Sequence, residues 1–257
     1  MFKYFCLFVL SALFFLFSCK ESEEVSFFRE VSTKLSTIQS ASYIYTKKAS
    51  FSGDTSKFSA LKRRFIKLYA EPSDTVLGAS TAIYAADDTL KLRRFYDGKA
   101  KGWVYWMDQC VKVDSLKGHP YPFHRLHYPM ILRVKDIINY MLSTEDDIAV
   151  FYKDLVDSVY FQLKIFNKHV YFRLKPMVLK NEFIPLNEVS QFDIWIRKSD
   201  RLPYKMRSRW HHKTLYETVS DMRINTTKKV FFAASEHYPE NFKVVRRRKF
   251  LRKKRRK

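Results

Sequence analysis

The alternation of apolar and polar residues over short segments constrains the fold of this 257-residue chain more than any other feature. In 158–166, Val159, Phe161 and Leu163 alternate with polar residues, which is the period of a strand with one buried face. The same pattern recurs between residues 43 and 222 and ends in 214–222, where the two faces are mixed. The alternation predicts nine or ten strands.

The links between these segments indicate how the strands pair. Most links are short, which favours antiparallel neighbours because parallel strands need long crossovers. Asp97-Gly98-Lys99 is typical of a hairpin turn. Apolar residues at helical spacing predict two helices, over 23–39 and 131–142. We therefore expect a mainly β (α+β) domain, with one large curved antiparallel sheet or half-barrel, an N-terminal helix and a second helix as a plug.

The first eighteen residues have the pattern of an export signal. Lys3 precedes an apolar run, 5–17, which is too short to span a bilayer of about 30 Å comfortably. Leu16-Phe17-Ser18-Cys19 resembles the lipobox of bacterial lipoproteins, although Phe17 departs from the usual small residue. The resemblance implies cleavage after residue 18 and acyl chains such as palmitate on Cys19, which anchor the chain to a membrane. An uncleaved anchor helix and ordinary secretion remain open as alternatives.

The charged segment 19–24 follows the predicted lipidation site. Lys20-Glu21-Ser22-Glu23-Glu24 resembles the tether that directs Bacteroidetes lipoproteins to the outer surface. It implies an outer-membrane lipoprotein of the cell envelope, on either the periplasmic or the surface face. The alternative is a solvated linker without an address.

Three stretches between residues 192 and 242 carry a family resemblance. Phe192-Asp193-Ile194-Trp195-Ile196 and Arg201-Leu202-Pro203-Tyr204-Lys205-Met206 resemble a hairpin of the LolA/LolB-like lipoprotein-carrier fold. The segment 234–242 is similar to the one that follows such a domain in TlpA-type thioredoxin-like lipoproteins of Bacteroidetes. The resemblance implies a LolA/LolB-like β domain over 25–242. No thioredoxin domain follows, so no redox activity is implied.

A half-barrel offers an apolar concave site large enough for an acyl chain. The candidate groove residues are aromatic and lie on predicted strands: Phe95, Trp103, Tyr105, Phe161, Phe172, Phe192 and Trp195. In a closed structure the same residues would only fill the core. The predicted function is a non-catalytic envelope lipoprotein whose half-barrel binds a lipid acyl chain or an envelope protein. The alternative is an interaction domain of a truncated thioredoxin-like lipoprotein with a filled core.

Motifs for catalysis or metal binding are weak in this sequence. The acidic pairs lie in predicted turns, and no P-loop, G-x-S-x-G or G-x-G-x-x-G pattern occurs. His119, His124 and His127 form a metal-like cluster, but neighbouring prolines favour an extended surface loop. We therefore expect no enzyme activity, no cofactor and no metal.

The net charge of +22 is concentrated at the C-terminus, where ten basic residues lie between Arg246 and Lys257. Like charges repel, so 243–257 is predicted to be a disordered basic tail. In an anchored protein, Arg246, Arg247, Arg248 and Lys249 would contact anionic lipid head groups rather than nucleic acid. A terminus without selected function remains the alternative.

Overall fold

The fold is built around one antiparallel sheet. The computed structural model describes residues 22–51, 62–74, 77–86, 92–99, 101–106, 109–114, 129–144, 148–166, 190–210 and 213–232. These residues form eleven strands: β1 Ser40–Phe51, β2 Lys62–Ala70, β3 Ala79–Ala85, β4 Leu92–Tyr96, β5 Lys101–Trp106, β6 Gln109–Asp114, β7 Ile148–Asp154, β8 Ser158–Ile165, β9 Ser190–Arg197, β10 Pro203–Trp210 and β11 Lys213–Ile224.

The strand order is β6-β5-β4-β3-β2-β1-β11-β10-β9-β8-β7. Two meanders are therefore joined where the first strand pairs with the last, and the register there runs from Ala41 opposite Ile224 to Phe51 opposite Lys213. The two ends of the order, β6 and β7, do not pair with each other. The prediction of a large curved antiparallel sheet that stays open is confirmed.

Two helices pack on one side of the sheet, which we call the inner face. Helix α1 spans Glu23–Ser36 and is capped by Ser22, whose hydroxyl oxygen accepts a hydrogen bond from the Val25 amide. Helix α2 spans Met130–Ser143. The helices bury their apolar stripes against strands from both meanders in one main core. The predicted core residues Phe27, Phe28, Val31, Leu35, Val134, Ile137, Ile138 and Met141 all belong to this core.

The opposite side of the sheet, the outer face, carries a smaller apolar cluster. Phe95 and Ala82 pack there against Phe232 of a short 3-10 helix, Lys229–Phe232. The ammonium of Lys67 lies 4.3 Å from the ring centre of Phe231 and covers the cluster. The chain after β11 thus folds back over the outer face of β2 and β3.

The strand ends and turns follow the sequence pattern closely, but the described residues form eleven strands instead of the predicted nine or ten. Strand β3 and the turn at Asp97 are confirmed, and Gly98 has a φ of +72°. Strand β7 was not predicted, because most of its side chains are exposed and they show no clean alternation. The predicted strand 170–174 lies outside the described residues.

Candidate ligand site on the inner face

The inner face is larger than the two helices that cover it. Eleven strands at a spacing of about 4.8 Å span about 48 Å, and seven residues of strand span about 23 Å, which makes an area of about 1,100 Å². Each 14-residue helix is about 21 Å long and about 10 Å wide, so the pair covers about 420 Å². Other groups must cover the remainder of the inner face.

Coverage by the helices is uneven. The main core takes side chains from β1, β2, β3 and β8 to β11, but none of the described side chains of β4 to β6. On the β8–β10 side, Phe161, Leu163 and Ile194 are fully buried. The helix-covered region therefore ends near β2 and β3, and polar residues occupy that border.

The border begins with a buried cluster of four polar side chains, which we call the polar cluster: Tyr43, Tyr45, Arg133 and Glu217. The Arg133 guanidinium on α2 forms an ion pair with Glu217 on β11, and the two side chains are 7% and 1% exposed. The Tyr45 hydroxyl donates a second hydrogen bond to Glu217. The pair ties α2 to the centre of the sheet.

The electrostatics of the polar cluster follow from this geometry. Burial raises the pKa of Glu217, but the charge and hydrogen bonds of Arg133, helped by Lys47 and Tyr45, outweigh burial and hold it below its ordinary value. Burial and the Glu217 charge raise the pKa of Tyr45 well above its ordinary value. Glu217 is therefore ionised and both tyrosines are neutral hydrogen-bonding groups at neutral pH.

Three buried hydroxyls on the inner face, those of Tyr43, Thr81 and Ser208, lack a hydrogen-bond partner among the described residues. The Tyr43 hydroxyl is completely buried and makes no hydrogen bond to any residue that the structure describes. The Ser208 hydroxyl on β10 is 1% exposed and is also without one. An unsatisfied buried hydroxyl costs about 1–3 kcal/mol, so a ligand atom or water that bonds to it would be favoured.

Beside the polar cluster lie Arg64 and Arg93, which we call the arginine pair. Arg64 is opposite Tyr45 in the β1–β2 register. Arg93 is the extra residue of a bulge, since Ile83 pairs with Arg94 and Tyr84 pairs with Leu92. Burial and the Arg93 charge lower the pKa of Arg64, while Tyr45 partly opposes them. Among the described residues, neither guanidinium forms an ion pair or hydrogen bond.

The structure does not bring all the predicted groove residues together. Phe161 and Phe192 lie on the inner face in the main core. Phe95 lies in the outer-face cluster, and Trp195 is also on the outer face, opposite Tyr160 in register. The prediction of one shared groove is therefore wrong for these two residues. Trp103 and Tyr105 lie on β5, where the backbone alone is described, and Phe172 is outside the described residues.

Trp195 belongs instead to a polar network that closes the outer face of β8–β10. Asp193 is fully buried and accepts hydrogen bonds at 2.7 Å from Tyr160, Gln162 and Arg207. Burial raises the pKa of Asp193, but these three donors outweigh it and the pKa is lowered. The Trp195 ring packs 4.9 Å from the Tyr160 ring and 4.4 Å from the Lys205 ammonium. The alternation of apolar and polar residues predicted that Asp193 lies on the outer face. It did not predict that the side chain is buried.

Several other predictions concern residues outside the described ranges. They are the signal and Cys19, the histidines at 119, 124 and 127, and the tail 243–257. Of the tether 19–24, Glu23 and Glu24 form the first turn of α1. Neither described helix is long and apolar enough to cross a membrane. No group of three metal-ligating side chains occurs among the described residues.

The arginine pair and the polar cluster were not predicted as site residues. A usable signal existed for Glu217, because it interrupts the apolar face of 214–222 and makes its faces mixed. An arginine in the apolar stripe of 131–142 gave the matching signal for Arg133. Nothing in the sequence indicated that these residues, 84 positions apart, would meet.

Comparisons with known proteins found matches among solved structures. No protein-family model and no curated protein match the sequence. Among solved structures, LprF from Mycobacterium bovis is similar at 11% identity and a TM-score of 0.45, over 81% of this chain and 95% of that one. The Mycobacterium tuberculosis lipoprotein LppX is similar at 10% identity and a TM-score of 0.45, over 79% and 96%.

A LolA superfamily protein from Nitrosomonas europaea is also similar, at 11% identity and a TM-score of 0.35, over 81% of this chain and 98% of that one. At such low identity and TM-scores, the function has to be argued from the residues of this chain.

Proposed function

We propose that this chain is a non-catalytic lipoprotein of the cell envelope that holds an acyl chain against the inner face of its sheet, beside the two helices. The observation that carries the proposal is the excess of inner face over helix, about 1,100 Å² against about 420 Å². The main core supplies an apolar wall next to the strands that the two described helices do not reach. Burial of each methylene group there contributes about 0.8 kcal/mol to binding. The affinity for an acyl chain would therefore increase with its length.

The alternative function is an interaction domain with a filled core. The β8–β10 side supports this alternative, because its inner face is fully buried beneath the helices. A domain of this kind would hold an envelope protein on its surface and carry no lipid. The two functions differ in whether acyl chains copurify with the protein.

The acyl-chain proposal is tested by native mass spectrometry of the full chain released from its membrane in a mild detergent. We expect adducts with the mass of a lipid or fatty acid that persist after the detergent is removed. A wild-type spectrum without adducts, together with a stable protein partner on affinity isolation, would support the filled-core function instead.

The membrane anchor is proposed to be Cys19, with the chain placed in the outer membrane of a Bacteroidetes-type envelope. The lipobox resemblance and the apolar run 5–17 support this proposal. Metabolic labelling with a clickable palmitate analogue should mark the wild type and leave Cys19→Ala unmarked. The matched control Cys110→Ala should be labelled like the wild type, and equal labelling of Cys19→Ala would remove the anchor.

The basic tail is proposed to contact anionic lipid head groups through Arg246, Arg247, Arg248 and Lys249. Each basic residue near an anionic surface contributes about 1 kcal/mol, which adds to the acyl anchor. Replacing these four residues by glutamine should release more of the protein from phosphatidylglycerol vesicles and leave its binding to phosphatidylcholine vesicles unchanged.

A further inference from the structure

We propose that the arginine pair, with the neighbouring Tyr43 hydroxyl, binds the anionic head group of an amphiphile, a carboxylate or a phosphate, whose acyl chain lies against the main core. The inference rests on the proposed function and adds the chemical class of the ligand. It concerns side chains of the inner face that the acyl-chain argument does not use.

The arginine pair carries the positive charge that an anion-binding site needs. No carboxylate among the described residues forms an ion pair with it. The two guanidiniums are close enough for the charge of Arg93 to act on Arg64, and like charges held together in a partly buried place repel. Glu217 is engaged by Arg133 and Tyr45 and lies next to Lys47 in register. The carboxylate of the polar cluster is therefore already neutralised, and an anion bound beside the arginine pair would offset its charge.

The position of the arginine pair matches the head of an amphiphile. Arg64 shares β2 with Ile66 and Leu68, which point to the same face and are fully buried in the main core. The change from apolar core to cationic surface therefore occurs within two residues of one strand. A compact anion held at Arg64 would therefore place an attached acyl chain at the edge of the main core.

The Tyr43 hydroxyl supplies an independent sign of a ligand. It lies on the inner face of β1, within the electrostatic influence of Arg133 and Glu217, and is fully buried without a hydrogen-bond partner among the described residues. As a neutral phenol it can donate to a carboxylate or phosphate oxygen. Arginine is suited to the same oxygens because its planar fork can bind two of them.

The test uses three photoreactive probes on the purified full chain: a diazirine-bearing palmitate, a phosphatidate with the same chain, and the alcohol of that chain. Cross-links are mapped by peptide mass spectrometry. We expect inner-face labelling by one or both anionic probes to exceed labelling by the alcohol about tenfold, which corresponds to ~1.4 kcal/mol. Labelling by palmitate alone or by phosphatidate alone identifies which anion is bound.

The variants Arg64→Gln and Arg93→Gln should each reduce anionic labelling towards the level of the alcohol. The matched control is Arg63→Gln, which removes the same charge from the same strand at an exposed position of the other face. Arg93 lies in a bulge, so its variant keeps the test valid if Arg64→Gln fails to fold.

Two outcomes separate this inference from the proposed function. Equal inner-face labelling by all three probes, unchanged in both variants, would overturn the head-group site and leave acyl binding intact. Labelling of the inner face by none of the probes would overturn both.

Discussion

At the scale of single residues, the ion pair between Arg133 and Glu217 is more deeply buried than the ion pair between Arg207 and Asp193. Both side chains are nearly free of solvent, so removing one leaves a buried charge without its counter-ion. The pair attaches α2 to β11 and so fixes where the second helix lies on the inner face.

The variant Arg133→Leu should lower the free energy of unfolding by about 3–5 kcal/mol, because Glu217 is then buried alone. The double variant Arg133→Leu/Glu217→Leu should recover most of this loss, since no unpaired charge remains. Urea denaturation followed by circular dichroism measures both. A double variant as unstable as the single one would mean that the charge is not the cause.

Stability should also depend on pH through Glu217 and Asp193, whose pKa values are lowered by their partners. Their contribution is complete above the ordinary carboxyl pKa and is lost as the pH falls through the lowered pKa of the folded state. We therefore expect stability to fall below about pH 4. In thermal melts, the melting temperature of Glu217→Gln should fall less steeply at acidic pH than that of the wild type. An equally steep fall in the variant would contradict the role of Glu217.

The positions and contacts of individual side chains were harder to predict from the sequence than the elements or the architecture. Alternation placed Phe161 and Ile194 correctly, because a buried apolar residue follows the strand period whatever it contacts. It could not indicate the Arg133 pair or the arginine pair, since these depend on which strands become neighbours. Phe95 and Trp195 were misplaced because an outer face also buries aromatics when another segment or a network covers it.

At the scale of elements, the β4–β5 turn depends on one glycine. Gly98 has a positive φ, and a Cβ there would lie 2.6 Å from the Ser80 hydroxyl and 2.8 Å from a carbon of Glu71. The adjoining Asp97 carboxylate accepts a hydrogen bond of 2.7 Å from the Lys99 amide, which completes the turn.

Gly98→Ala should therefore lower the free energy of unfolding by about 1–3 kcal/mol, from backbone strain and steric overlap. Lys99→Ala is the matched control, because Lys99 is exposed in the same turn and gives up its side chain without changing the backbone. Thermal melts compare the two. A loss of the same size in the control would show that the whole turn, rather than the glycine, is sensitive.

Elements were predictable where local chemistry decided them. Strand β3, the β9–β10 hairpin and both helices follow from periodicity and turn residues. Helix α1 ends at Ser36, earlier than the predicted residue 39, because β1 begins at Ser40. Strand β7 was not predicted because Val150 and Phe151 are both exposed, although they point to opposite faces, so the strand shows no regular alternation.

At the scale of the whole molecule, stability should decrease from the centre of the sheet towards its ends. Strands β1 and β11 have hydrogen-bonded neighbours on both sides and contribute to the main core. Strand β7 has β8 as its single neighbour among the described strands and exposes most of its side chains.

Amide hydrogen exchange of the full chain should therefore be at least about tenfold slower in β1 and β11 than in β7. Peptide-resolved mass spectrometry provides the measurement, and β8 serves as the internal control because it pairs on both sides. Equal protection of β7 and β11 would indicate that another segment pairs with β7.

One large antiparallel sheet with a solvated side was predictable from short links and one-sided alternation, and its half-open form was implied by the family resemblance. The strand order was not, because adjacency of β1 and β11 joins residues about 170 positions apart and leaves no local sequence signal. The inner-face site depends on this adjacency, since it brings Tyr45 and Glu217 together.

The pairing of the first strand with the last also has a mechanical consequence. The chain enters β1 at Ser40 and leaves β11 at Ile224, and these points are neighbours, held together by hydrogen bonds from the Gln39 and Ser40 amides to Asn225. Tension between the two termini would pull the strands apart at one end and break their ladder bond by bond, like a zipper. A domain loaded in this way yields at low force, so any strain carried through it would open the molecule at its centre first.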